Sequence, residues 1–519
     1  MVAQLFPIPI VSPGSRGVNF EEENALLDPR WATVAQEAKI DTNGRLAARN
    51  GYTNLTTTAI TSTPDVKTIF EYIQEDGTTE NIVAWNGGIA NDTADPESND
   101  ISGSVTDTDG TWWFQNYLDQ CWGFQDGQKP IVYTGSGTFA TVSESAGTAP
   151  TIADGVGLCA YGRVWGLDSD KQTIKFSVLL DGTDWSSSGS GSINMTNIWT
   201  HGTDQVTAIA AFNGFLVVFG HNHVVIWEDT TGSQLGLDPA NMVVRDVIGG
   251  VGCESQWTIQ NIANADMWFF SRHGLQSLGR LIIQKSAPLG SLDDKVRAEL
   301  QKDYLATTDL TELRSVVDPE LGAYILSFPT AARTWVIFFK RPFVDETTGK
   351  TLYPITTWPA LVPTAWARIT ASNKTYLGGA GIIGQYGTVS LDDATAYILN
   401  YESGWLTFGS PQGQDKLKIL KRIHSIIFTL TAATVIYKWD FDFQQSWTYK
   451  SIDYSSEGSA EWGEAEWGAS EWSGSISLRQ KKIPGSGTGQ YVKVGLTVEV
   501  GSEFAIQQLE LMSKLGRSS

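Results

Sequence analysis

Residues 206–228, VTAIAAFNGFLVVFGHNHVVIWE, constrain the fold more than any other stretch of the chain. Three short apolar runs are joined by two tight turns. Asn213-Gly214 is the strongest short hairpin signal a sequence carries, because both central residues of a type I′ turn need positive φ. His221-Asn222 reads as the second turn. Residues 215–219 are apolar on both faces, which predicts a strand buried between two layers. The third run ends on Trp227 and meets charge and a Thr-Thr-Gly break.

Units of the same build recur at 117–134 (turning at Asp126-Gly127), 162–185, 267–278, 322–340 and 375–389. Each reads as a strand, a turn and another strand, rich in aromatics. A recurrence at roughly 40–60 residues with no fixed period is what a degenerate β-propeller leaves behind. Asp-Gly or Asn-Gly pairs begin at residues 43, 50, 76, 86, 109, 126, 154, 181 and 213, a density of hairpin chemistry that points to an all-β chain.

At 519 residues more than one domain is expected. The expected fold is an all-β protein: an N-terminal arm and β platform over 1–60, a β-propeller over 61–395, and a C-terminal β domain over 396–519. One short inserted helix is expected at 291–304, with Ser291 as its cap, Asp293 and Asp294 in its first turn, and Val296 four residues before Leu300. Residues 67–85 read as a hairpin through Asp76-Gly77. Residues 86–110 read as a long polar loop, either mobile or reaching a partner. Residues 419–430 and 434–443 read as a further hairpin, and 491–500 and 504–514 as two alternating strands.

The net charge is −21, so no basic footprint for gripping phosphates is expected. Such acidity confers solubility, or makes a surface that repels a polyanion. Cys121, Cys159 and Cys253 are too few for a disulfide scaffold and read as buried thiols. The start, MVAQLFPIPIVSPGSRG, is broken by prolines and does not resemble a secretory leader, and no apolar run nears the ~20 residues of a membrane span.

No catalytic set stands out, and no cofactor or metal is expected. His221 and His223 are two apart, with no acidic or cysteine partner nearby in sequence. Asp107-Thr108-Asp109-Gly110 resembles the start of a calcium loop without its later ligands. Residues 176–185, FSVLLDGTDW, fail the aspartate-box pattern because Asp181 is followed directly by Gly182, and read as a turn with Trp185 beneath it. The carboxylates Asp293-Asp294, Asp392-Asp393, Asp440 and Asp442 would need a cleft to act as a glycosidase pair. The oddest feature is Glu461-Trp462, Glu466-Trp467 and Glu471-Trp472, at a period of five. Neither a helix nor a plain strand puts three residues five apart on one face. Trp462, Trp467 and Trp472 are therefore expected in a winding loop at or near a subunit contact.

A family resemblance joins these parts. Prolines at 7, 9 and 13 are followed by Gly17-Val18-Asn19, residues 35–40, Asn43-Gly44-Arg45-Leu46 and Arg49-Asn50-Gly51-Tyr52. This opening resembles that of the tail-nozzle proteins of short-tailed bacteriophages, also called tail tubular protein B or packaged-DNA stabilisation proteins. Asp119-Gln120-Cys121-Trp122-Gly123, 160–165, Phe176-Ser177 with Trp185, and 215–227 are similar to successive propeller strands of that family. The close on Lys514-Leu515-Gly516-Arg517 is similar too. The loop at 86–110 has no place in the family pattern. The resemblance implies a structural virion protein made in the host cytoplasm, not an enzyme. It implies a homohexamer below the portal-adaptor ring and beside a tail fibre or tail-tip protein. It also implies genomic double-stranded DNA held without sequence specificity in an acidic lumen, and no membrane anchor. The alternative is a carbohydrate-binding or glycan-cleaving propeller of a receptor-binding tail protein, and a third reading is a propeller scaffold for protein partners.

Overall fold

The computed structural model describes residues 5–518 apart from 26, 201, 233–236, 264, 286–289, 347, 408–415, 445 and 455–477. The Glu-Trp repeat, with Trp462, Trp467 and Trp472, lies outside the described residues. The protein is an all-β propeller with an attached β-sandwich.

The unit at 206–228 folds as its sequence demands. Val206–Phe212, Phe215–Gly220 and His223–Asp229 are antiparallel neighbours, and Met242–Gly249 adds a fourth strand. Asn213 and Gly214 both have positive φ, at 49° and 82°. Similar sheets form over 113–141 and 152–194, with three-stranded ones over 66–90 and 260–277. A further four-stranded sheet takes its strands from Ala365–Ile369, Lys374–Gly378 and Ile383–Tyr386, and its last from Tyr52–Asn54. Borrowing the last strand of this sheet from the N-terminal part of the chain is what ties the two ends of the ring together.

These six sheets, with Arg314–Asp318, Ala323–Phe328, Arg333–Ile337 and Ile355–Trp358 of a ten-stranded sheet, follow one another around an axis. Their first strands pack side by side, and side chains lace neighbours together. The Gln256 side chain donates to Ile209 O at 3.0 Å and accepts from Ile209 N at 2.9 Å. Thr68 Oγ1 donates to Trp112 O at 2.9 Å, and Thr364 Oγ1 to Val66 O at 2.8 Å. The axis itself is filled at one end. Trp113 meets Trp257 edge-on at 4.9 Å, and the Arg314 guanidinium lies 4.2 Å from the Trp257 ring while donating to Lys67 O. Three different sheets and the 3-10 turn at Gln256–Thr258 supply these residues.

The remainder is a sandwich. A seven-stranded sheet runs Ala38–Ile40, Leu46–Ala48, Phe504–Ser518, Lys416–Thr429 and Leu478–Pro484, with Phe6–Val11 also on Phe504–Ser518. It faces the distal strands of the ten-stranded sheet, Tyr397–Glu402, Tyr491–Val500, Ala433–Phe441 and Thr448–Tyr454. Ile423, Ile427, Tyr437, Trp439, Leu496 and Ile506 belong to the core between them. The expected hairpin of 419–430 with 434–443 does not form. Both runs are strands, but the turn between them passes from one sheet to the other, and Tyr437 Oη donates to Ser425 Oγ across the sandwich at 2.6 Å. The two strands at 491–500 and 504–514 part in the same way.

The helix also departs from expectation. It runs Arg297–Ala306, and its N-terminal flanking residue Val296 makes no side-chain cap. Ser291 instead bridges to Gln276 in the preceding sheet, and its hydroxyl is taken up by Asp293. A second helix, Leu278–Gln284, is capped by Ser277, whose Oγ accepts from Arg280 N at 3.1 Å. The loop at 86–110 is not a free insertion. Asp107 pins it by accepting from Gly87 N, Gly110 N, Trp112 Nε1 and Gln125 Nε2.

Candidate functional site

The structure separates most of the residues singled out by type. Asp107 spends both oxygens on N–H donors, which leaves no site for a cation at 107–110. Asp440 holds the backbone of Phe441 and Ser446, and Asp442 that of Gln490 and Tyr491. The turn at Asp181-Gly182 packs Gly182 against Trp122, and Trp185 is buried in the cluster with Tyr117 and Phe124. Among the described residues no three His, Cys, Asp or Glu gather as metal ligands, and no helix is long and apolar enough to cross a membrane. Cys121 and Cys253 are buried; burial pushes the Cys253 thiol up to about 12, out of nucleophilic range.

Folding supplies the acidic partners that His221 and His223 lack in sequence. The two imidazoles part company. His223 Nδ1 meets Asp204 at 2.8 Å, and His221 Nδ1 meets Glu254 at 3.2 Å. Arg272 Nε donates to the other Glu254 oxygen at 3.0 Å. The hydrogen bond to Glu254 raises the His221 pKa against the opposing effect of burial. For Glu254 burial pushes upward, and the bonds from His221 and Arg272 outweigh it and hold the carboxyl low. This cluster borders a cavity of about 310 Å3 with Asp154, Lys171 and Thr311. With its groups bonded to one another, it is a brace between sheets.

A second buried ionic group joins propeller to sandwich. Arg49, with a fully buried side chain, grips Asp392 in a bidentate pair at 2.5 and 2.7 Å and also binds Glu37. Its guanidinium lies 3.9 Å from the Tyr397 ring. Two residues on, Gly51 sits where a Cβ would meet Leu391 O at 1.9 Å, and Tyr52 then opens the closing strand. Residues 49–52 are thus the joint of the molecule. The sequence marks them with a glycine, but nothing in it pairs Arg49 with a carboxylate 343 residues away.

Charge is divided along the same line. Residues 61–395 hold 38 Asp and Glu against 19 Lys and Arg, which places −19 of the −21 on the propeller part. The sandwich strands run the other way. Phe6–Val11, Lys416–Thr429, Leu478–Pro484 and Phe504–Ser518 together carry nine Lys and Arg and one carboxylate, Glu510. Elsewhere on the sandwich, Trp405, Phe443 and Trp447 line a cavity of about 580 Å3 with Glu402, Asp440 and Lys493.

No family model matches the chain, and no curated protein matches it. Among solved structures, the extracellular domain of the B. thetaiotaomicron one-component system BT4673 aligns at 12% identity over 80% of this chain, with a TM-score of 0.40. The chain spans 57% of the length of that domain. The designed Ika8 protein aligns at 13% identity, covering 64% of this chain and 99% of its own, with a TM-score of 0.34. The WD40 propeller domain of Doa1 aligns at 9% identity, covering 65% and 97%, with a TM-score of 0.29. These likenesses are too distant to bear on function, and the propeller assignment rests on the ring of sheets itself.

Proposed function

We propose that the chain is a structural subunit of a hexameric tail nozzle of a short-tailed bacteriophage, retaining packaged DNA and conducting it during ejection. The observation that carries this reading is the division of charge. An acidic propeller part carries a net negative charge that repels phosphate, so a duplex slides past without sticking. Because Trp113, Trp257 and Arg314 fill the propeller axis, the lumen of such a nozzle runs between copies. The residues that resemble the family's opening also form the mechanical joint, through Arg49, Gly51 and Tyr52. The partners in this reading are a portal-adaptor ring above, a tail-tip or fibre protein below, and DNA without sequence preference. The test is a mobility-shift titration with duplex DNA at low salt, where repulsion or binding is most visible. No retardation is expected, and a salt-sensitive complex would overturn the acidic-lumen reading.

One observation favours a second reading, a carbohydrate-binding tail protein. The cavity lined by Trp405, Phe443 and Trp447 offers aromatic faces of the kind on which a sugar stacks. A glycan array separates the two readings, since a nozzle subunit returns no hits.

A further inference from the structure

The seven-stranded sheet has one face in the sandwich core and one face that nothing among the described residues covers. Its register sets out that outer face row by row. Pro7, Met512, Arg422 and Pro484 lie side by side. The next row is Pro9, Glu510, His424 and Lys482, and the next is Val11, Gln508, Ile426 and Gln480. Val11 is 62% exposed and Leu478 46%. An antiparallel sheet that faces water alternates apolar-in with polar-out. Here Pro7, Pro9, Val11, Ile426 and Met512 point outward on a sheet whose inner face is already apolar. An exposed apolar patch rimmed by charge marks an interaction surface.

The rim has one sign. Lys421, Arg422 and Lys482 are all exposed, and no carboxylate among the described residues pairs with any of them. The one carboxylate on these strands, Glu510, is held by His424 at 3.2 Å. A cationic rim with an apolar centre stands on a molecule whose other part carries −19. Copies of this chain therefore present complementary surfaces to one another, sandwich face to propeller.

We infer that this face, centred on Ile426 and rimmed by Arg422 and Lys482, receives the acidic propeller part of a second copy. The contact is heterologous, joining two different patches, and such contacts close into rings when the rotation between copies permits. Apolar burial supplies the affinity and the charges set orientation and on-rate. The inference rests on the ring-forming part of the nozzle reading and adds the surface that makes the ring.

The test uses the full chain in three forms: wild type, Arg422→Glu with Lys482→Glu, and Ile426→Glu. Mass is read by light scattering, folding by the melting transition. In a mixture of 14N- and 15N-labelled wild type, carbodiimide cross-links between copies are mapped by mass spectrometry. Wild type is expected to assemble, and both variants to fall to monomer mass with an unchanged melting transition. Mixed-isotope links are expected from Lys421 or Lys482 to carboxylates within 61–395. The cross-linking arm needs no variant, so it decides the matter even if a substitution unfolds the chain. Assembly of wild type and variants alike would overturn this surface and leave the ring standing. Links running instead to Glu461, Glu466 or Glu471 would overturn it too, by showing a different occupant. A wild type that stays monomeric at every concentration and ionic strength would overturn the ring and the surface together.

Discussion

At the scale of single residues, burial and partner decide what a side chain does, and sequence neighbours often say little. His221 and Glu254 are 33 positions apart yet form one ionic brace with Arg272. The signs of their shifts make a pH prediction. His221 is raised, so its contribution is complete below the ~6.5 of a free imidazole and fades as pH rises through its folded value. Glu254 is lowered, so its contribution is present above the ~4.3 of a free carboxyl and fades as pH falls through its folded value. The pair therefore works at full strength at about pH 5–6. Urea midpoints of wild type and His221→Gln should differ most in that window and converge toward pH 9. A difference that stays constant from about pH 5 to pH 9 would show that the imidazole acts there by packing alone.

At the scale of elements, glycine shows how far the sequence could be read. Of the nine glycines that follow Asn or Asp, Gly44, Gly77, Gly87, Gly110, Gly127, Gly155 and Gly214 adopt positive φ, the turn conformation their dipeptides advertise. Gly51 and Gly182 do not; each is small because another group presses on it, Leu391 in one case and Trp122 in the other. Their dipeptides look the same as the rest, so close approach was invisible. Gly214→Ala has open space and should cost only the left-handed penalty, about 1–2 kcal/mol. Gly51→Ala drives a Cβ into Leu391 backbone at the strand that closes the ring, and should lower the melting temperature well beyond Gly214→Ala. Equal losses would contradict that account. The strands themselves were legible, because aromatic and β-branched runs between turn signals survive any topology. Their partners were not. Two strands a short turn apart, such as Lys416–Thr429 and Ala433–Phe441, look like a hairpin whether they pair or pass between sheets. Hairpin turns without glycine signals, such as Leu118-Asp119 with φ of 46° and 56°, left no mark either.

At the scale of the whole molecule, two features organise the chain: a ring closed by the strand Tyr52–Asn54, and a charge divided between propeller and sandwich. The ring explains why a propeller strand lies at Tyr52–Asn54, far from its sheet-mates in sequence. The divided charge was hidden in a single total of −21, which says nothing of where the acid lies. The proposed assembly with copies of itself rests on three features: a net acidic propeller part, an axis filled by Trp113 and Trp257, and a cationic sheet face that nothing among the described residues covers. The most direct measurement is negative-stain electron microscopy of the purified protein, alone and mixed with particle extract from its source. The nozzle account predicts six-fold rings or cones, or density added at one vertex of a capsid. Single globular particles under both conditions would contradict it.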